Sequence, residues 1–351
     1  MNKNGDHIDS YFRSKRVNVS TLKRLDNPKW IKWKLDNPKA EDEEKRHFRI
    51  GGAIDTLLTS PERFNDEYVV LYQNRPTGKM GIFIDNLPLD LVEDSPLEAF
   101  QGAYDAAEYR VKLPVIVQSL WQNERYRDYY LSRKQALTRQ ILTLDELDEV
   151  EHVKSYLLNN PFTRKYFLNT DPQVEICFQV AVYFELEGLD CKALLDGVLV
   201  NHREKFLQPF DLKTIGTDIR KFPNAYLNYG YYLQATMYDK ALQSLDSPED
   251  YSIAGLPARS LEYEIRPMKF VVSEKKKYHS NPARSFDCTS EDIEAGWLGG
   301  DYKETYYVGL QKLLADFKWH KTKDYWEIPR DLYENEGGVI LDMLNPRDDS
   351  K

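Results

Sequence analysis

Cysteine is scarce in this 351-residue chain, and long apolar runs are missing. Its three cysteines, Cys177, Cys191 and Cys288, are widely spaced and include no Cys-x-x-Cys pair. That excludes a disulfide framework, a cysteine-rich zinc site and a four-cysteine iron–sulfur centre. No apolar run approaches the roughly 18 residues of a membrane span, so no membrane partner is expected. The opening Met-Asn-Lys-Asn-Gly-Asp-His has no apolar stretch of the secretory kind, and the expectation is a reducing, cytoplasmic setting. The six histidines show no metal-ligand spacing, and no nucleophile-elbow glycine pattern marks a Ser/His/Asp hydrolase. Pro76-Thr-Gly-Lys-Met lacks the first glycine and the Ser/Thr of a phosphate loop.

Apolar and charged residues are plentiful. Hydrophobic residues make up 41% and charged residues 30%, enough for a sizeable core. The length fits one large elaborated domain or two modest ones, and with no internal repeat or low-complexity linker a single domain is expected. The formal net charge is −9, yet residues 1–49 carry 13 Lys/Arg against 8 Asp/Glu, a net of +5. A basic segment on an acidic body suits a local polyanion site, although a solvated helical face explains the same pattern. The 24 tyrosines and 6 tryptophans could offer stacking surfaces as well as core.

The pattern predicts helices first. A helix is expected from a Ser20 N-cap, interrupted at Asn27-Pro28, and a small-residue-rich helix from Phe48, ended by Ser60-Pro61. Residues 98–158 read as long charged helices. From Val174 the character changes: strands are expected over 174–187, 191–200 and 206–214, a helix over 225–245 and a strand over 261–272. The turns between the first three strands are too short for parallel crossovers, so these form an antiparallel meander. The result is an α+β arrangement: a helical part over 1–165 with a basic segment at 13–49, a core over 170–275, and a helical extension over 285–351.

Asp211-Leu-Lys213 is one of four Asp-x-Lys triplets. Asp190-Cys-Lys192 reads as a turn, Asp301-Tyr-Lys303 follows a Gly-Gly loop, and Asp316-Phe-Lys318 lies in an amphipathic helix. Only Asp211 and Lys213 fall in an expected strand, where i and i+2 share a face. Only they follow a strand with a central acid, Asp196. A carboxylate there needs a cation or a hydrogen-bond network. Two carboxylates on neighbouring strands can hold Mg²⁺ through hard oxygens, with a lysine beside them to orient water. From these residues alone, a structural Asp196–Lys213 ion pair explains the pattern equally well.

The following helix adds Gln234 and Tyr238, at i and i+4 on one face. Asp196, Asp211, Lys213, Gln234 and Tyr238 together resemble the RecB-like branch of the PD-(D/E)xK nucleases, with its Asp-x-Lys strand and Gln-x-x-x-Tyr helix. The segments Val19-Ser-Thr-Leu-Lys-Arg-Leu-Asp-Asn-Pro and Arg49-Ile-Gly-Gly-Ala-Ile-Asp, with Ser60-Pro-Glu-Arg-Phe64, resemble the opening of exonuclease VIII (RecE-type) nucleases. Lys269–Lys275, Ser285–Gly296 and a terminal helix around Thr305–Phe317 follow the same layout, so the resemblance spans residues 17–320.

That resemblance implies a restriction-endonuclease-like core: a central mixed sheet built as a meander, a helix and a further strand. It implies a Mg²⁺-dependent (or Mn²⁺-dependent) 5′→3′ exodeoxyribonuclease resecting linear duplex DNA for recombination and repair. Asp196, Asp211 and the Leu212 carbonyl would ligate metal, helped by Asp55, which stands where the family has histidine, and by Glu175. Lys213 would position water, and Gln234 and Tyr238 would hold the site or touch the DNA backbone. Lys23, Arg24, Lys29, Lys32 and Lys275, Lys276 and Lys277 are candidates for phosphate contact. Duplex ends, a single-strand annealing recombinase and further copies of the chain are the implied partners, with a phage or prophage origin placing it in a bacterial host cytoplasm. A structure-specific or nicking endonuclease would use the same residues. A degenerate DNA-binding or assembly protein would bind without cleaving, and a purely structural α+β protein would tolerate Asp196→Asn.

Overall fold

The structure, a computed structural model, describes residues 3–37, 46–71, 75–136, 139–244, 252–275, 281–303 and 305–338. Among these the strands are β1 (Tyr68–Leu71), β2 (Gln140–Thr143), β3 (Val174–Leu186), β4 (Leu189–Asn201), β5 (Phe206–Ile215), β6 (Ser252–Ala254), β7 (Glu264–Ile265), β8 (Lys269–Glu274), β9 (Arg284–Asp287), β10 (Gly299–Tyr302) and β11 (Thr305–Val308). The described residues include no helix long and apolar enough to cross a membrane.

The chain divides into two compact units. One comprises residues 1–43, 158–274 and 281–351; the other comprises 44–157 and 275–280. The second is an insertion with its own core, in which Phe83, Ile84, Phe100, Leu120 and Tyr130 are fully buried. It contains a parallel pairing of β1 with β2, residues 68–71 against 140–143, that the sequence does not announce. No Gly/Pro/Ser-rich linker marks its borders in the sequence.

The first unit is built on a mixed sheet of order β6-β3-β4-β5-β8-β9, with β7 also paired to β5. β3, β4 and β5 form the expected antiparallel meander. Glu187 and Gly188, both at positive φ, make a two-residue turn suited to the twist of β3 and β4. The strand therefore resumes at Leu189, earlier than expected. β8 runs parallel to β5, which requires a crossover, and two helices supply it: Phe222–Asn228 and Tyr231–Gln243. The single helix expected over 225–245 breaks at Gly230 (φ +61°). The strand expected over 261–272 shortens to β8, because Ala258–Ser260 forms a turn of 3₁₀ helix and β7 is only two residues long.

Helix Tyr231–Gln243 packs on β3 and β4 and is covered by helices Ser290–Leu298 and Leu310–Lys323. Enclosure by neighbours explains why Leu233, Ala235, Met237, Ala241 and Leu242 are all buried. The terminal helix expected around 305–317 begins only at Leu310, after the β10–β11 hairpin. Asn18, not Ser20, caps the short helix Val19–Leu22 by accepting the Thr21 N–H. Val17 forms a parallel bridge with Cys191, at the end of β4 that β5 does not reach, and so ties the basic segment to the sheet.

Candidate active site

The β4–β5 ladder runs from Asn201↔Phe206 to Gly197↔Phe210 and stops there. Continuing the register would set Asp196 opposite Asp211. The Phe210 ring lies across Gly197, where an added Cβ would sit 2.1 Å from Phe210 Cζ. Beyond that crossing a side chain takes over the pairing: Asp196 Oδ2 accepts the Leu212 backbone N–H at 2.8 Å. On the other flank the β3–β4 register skips the pair Gln179/Asp196, and Gln179 adopts φ +52°. Asp196 is thus bordered by a ladder interruption on each side. Its neighbour β5 stays fixed, because Phe210 to Ile215 remain paired with β8.

Strand alternation puts Asp211 and Lys213 on one face, and helix Tyr231–Gln243 meets them there. Gln234 Nε2 donates to Asp211 Oδ1 at 2.6 Å and to the Tyr238 hydroxyl at 2.8 Å. The Tyr238 hydroxyl in turn donates to the Leu194 carbonyl of β4 at 2.6 Å. Lys213 Nζ donates to Asp211 Oδ2. A continuous chain of donors therefore runs from β4 through the helix to the carboxylate of Asp211, which is only 1% exposed.

Burial opposes the charge on Lys213, but Asp211 and Asp196 outweigh it and hold the ammonium above the ordinary lysine pKa. Burial and then the two aspartates push the Tyr238 phenol far above its usual range, so it serves as a neutral donor. The Lys213 ammonium lies 5.0 Å from the Tyr231 ring centroid and 5.9 Å from that of Phe270. A second ammonium, Lys23, stands 5.9 Å from the same Tyr231 centroid and donates to the Tyr229 carbonyl at 2.9 Å. Burial, and next the charge of Lys213, lower the Lys23 pKa from 10.5 to about 8 against the pull of Asp211. The sequence makes Lys23 one of several candidates for phosphate contact; its proximity to Lys213 depends on long-range packing. Tyr231 and Gln179 gave no sequence signal.

Among the remaining sequence candidates, those described in the first unit have other partners. Glu175 pairs in register with Val200, four positions along β4 from Asp196, where its carboxylate meets His202 Nε2 at 3.3 Å. Asp55 stands on helix Arg46–Thr59 of the second unit. Lys29 pairs with Glu327, Lys32 lies 3.7 Å from Asp324, and the Arg24 guanidinium stacks over Trp30. Lys275 belongs to the second unit, and Lys276 and Lys277 lie outside the described residues. Asp190-Cys191-Lys192, expected in a turn, lies in β4, but the Lys192 ammonium is buried against the Tyr11 and Ser14 carbonyls. Asp301 of a third triplet also lies in a strand, β10, with Lys303 just beyond it.

Among the described residues no group of three His, Cys, Asp or Glu comes close enough to hold a metal. An all-protein zinc cage does not fit this donor set. A pair of carboxylates does suit Mg²⁺ or Mn²⁺, which bind through one or two carboxylates and keep several waters. Each oxygen of Asp211 has one recorded donor, leaving acceptor capacity on a carboxylate with about four lone-pair sites.

No protein-family model matches the sequence, and no curated protein is similar to it in sequence. The fold is similar to a crystal structure of a protein from Eubacterium rectale provisionally described as an exonuclease. The identity is 11% and the TM-score 0.44, over 97% of this chain and 93% of that one.

Proposed function

We propose that this protein is a metal-dependent deoxyribonuclease of PD-(D/E)xK type, acting as a 5′→3′ exonuclease on linear duplex DNA. One observation carries the reading: Asp196 and Asp211 lie just past the last pair of the β4–β5 ladder, Asp196 on the Leu212 N–H and Asp211 on Lys213 and Gln234. A purely structural strand acid has no need of an interrupted ladder on both sides.

In this reading Asp196, Asp211 and the Leu212 carbonyl hold Mg²⁺ or Mn²⁺. The ion supplies charge neutralisation on the phosphodiester and acidifies bound water. Lys213 orients the attacking water and stabilises the negative charge that develops as one P–O bond forms and another breaks. Gln234 fixes the orientation of the Asp211 carboxylate, and Tyr238 anchors Gln234 to β4; both are positioning residues. Lys23 and Arg24 offer phosphate contacts. Lys29 and Lys32 are held in exposed, solvent-screened ion pairs that a DNA phosphate can displace. Assembly as a homo-oligomer and delivery of the resected strand to an annealing recombinase belong to the same reading.

The test is cleavage of end-labelled linear duplex beside covalently closed circles, with and without Mg²⁺. Metal-dependent loss of linear DNA alone supports the exonuclease. Cutting of closed circles moves the assignment to an endonuclease using the same site, and failure to cleave with Mg²⁺ or Mn²⁺ by folded protein overturns both.

A further inference from the structure

Lys23 belongs to neither the Asp-x-Lys strand nor the Gln-x-x-x-Tyr helix, yet the fold carries it to both. Asn18 caps its short helix, Leu22 beside it is fully buried, and the stem of Lys23 crosses the backbone at Gly230. A Cβ at position 230 would lie 3.0 Å from Lys23 Cδ, and the residue's φ of +61° already favours glycine. The break between helices Phe222–Asn228 and Tyr231–Gln243 thus leaves room for this one side chain.

Among the described residues no carboxylate lies within ion-pair distance of Lys23, whose recorded hydrogen bond is to the Tyr229 carbonyl. An ammonium has three donors, so two remain. Its nearest charged influence is Lys213, a like charge against the same Tyr231 ring, with Asp211 acting more weakly in the opposite sense. Asp211 is in contact with Lys213 and not with Lys23, so Lys23 is the ammonium left to take an anion from outside the cluster. Lys23 is only partly buried, and the adjoining Tyr229 ring, 5.8 Å from that of Tyr231, is 65% exposed. An anion with a flat apolar neighbour, as in a nucleotide, matches that surface.

We propose that Lys23 is a second cationic contact of the reacting DNA strand, holding the backbone phosphate adjacent to the one at Lys213, with a base against Tyr229. This rests on the nuclease reading and specifies how that site grips its substrate.

The experiment compares wild type, Lys23→Met and Lys23→Arg on a linear duplex with Mg²⁺ over a range of salt, with melting temperatures alongside. A contact made equally in ground and transition states predicts KM raised by roughly tenfold or more in Lys23→Met with kcat little changed. The log–log dependence of affinity on salt should flatten by about one unit, and Lys23→Arg should restore both. A Met variant with a lowered melting temperature but wild-type KM and salt dependence overturns the proposal and leaves a tether to Tyr229. Should wild type cleave nothing, the nuclease reading fails. Equilibrium binding of the same duplex then still reads the contact, and an unchanged salt slope in Lys23→Met overturns it.

Discussion

Asp196 Oδ2 accepts the backbone N–H of Leu212 at 2.8 Å, one position beyond the last ladder pair of β4 and β5. The carboxylate replaces a backbone acceptor, so its shape and its charge have separable uses. Asp196→Asn keeps an oxygen for that N–H and should melt close to wild type while losing metal-dependent cleavage. Asp196→Ala leaves the N–H unsatisfied and should also cost about 1–3 kcal/mol. Denaturant melts beside a cleavage assay separate the two; wild-type cleavage by Asp196→Asn would show the charge to be dispensable.

Gln234 bridges Asp211 and Tyr238, which makes its amide hard to replace. Gln234→Glu sets a second carboxylate against Asp211 and should damage cleavage more than Gln234→Leu. Tyr238→Phe removes the bond to the Leu194 carbonyl and should cost about 0.5–1.5 kcal/mol. Because Tyr238 acts only through Gln234, its loss should lower kcat less than either Gln234 variant. Steady-state rates with unfolding midpoints check the order.

Gly197 and Phe210 bring the strands to the point where they part. Gly197→Ala drives a methyl into the Phe210 ring, which is packed against Tyr166 and Phe167 and has little room to retreat. Overpacking of this kind costs about 1–3 kcal/mol. A denaturation midpoint for Gly197→Ala that matches wild type would show that the ring moves freely.

Lys192 gives a pH signature away from the site. Burial lowers its pKa from 10.5 to about 8, with Nζ on the Tyr11 and Ser14 carbonyls. Below about 8 both folded and unfolded chains carry the proton, and above 10.5 neither does. Between these values the unfolded chain binds a proton that the folded chain does not, so stability rises with pH across the window. Relative to Lys192→Met, wild type should gain up to about 1.4 kcal/mol per pH unit there. Chemical denaturation of both proteins at about pH 7 and about pH 9.5 reads the difference; parallel changes would contradict it.

Much of this site is written in local sequence. Asp211 and Lys213 share a face by strand alternation, Gln234 and Tyr238 by helical spacing, and the short turns of the meander place Asp196 beside them. What local patterns cannot convey is where elements meet. Lys192 and Lys213 both sit two residues after an aspartate in a strand; only packing decides that the first is buried on the N-terminal segment and the second meets Asp211 beside the Tyr231 ring. The same holds for Lys23, delivered across Gly230, and for Glu175, whose place in the register is four residues from the one that would matter. The parallel pairing of β1 with β2 joins residues some 70 apart, beyond any periodicity of sequence.

The most direct measurement is the rate of Mg²⁺-dependent cleavage of a linear duplex by wild type and by Lys213→Met, both confirmed as folded. Methionine keeps an unbranched side chain of similar length and removes the charge that Lys213 sets beside Asp211 and the Tyr231 and Phe270 rings. The account predicts robust metal-dependent cleavage by wild type and a loss on the order of 10³-fold in kcat for the variant. Equal rates for the two proteins, or no cleavage by wild type with either Mg²⁺ or Mn²⁺, would contradict it.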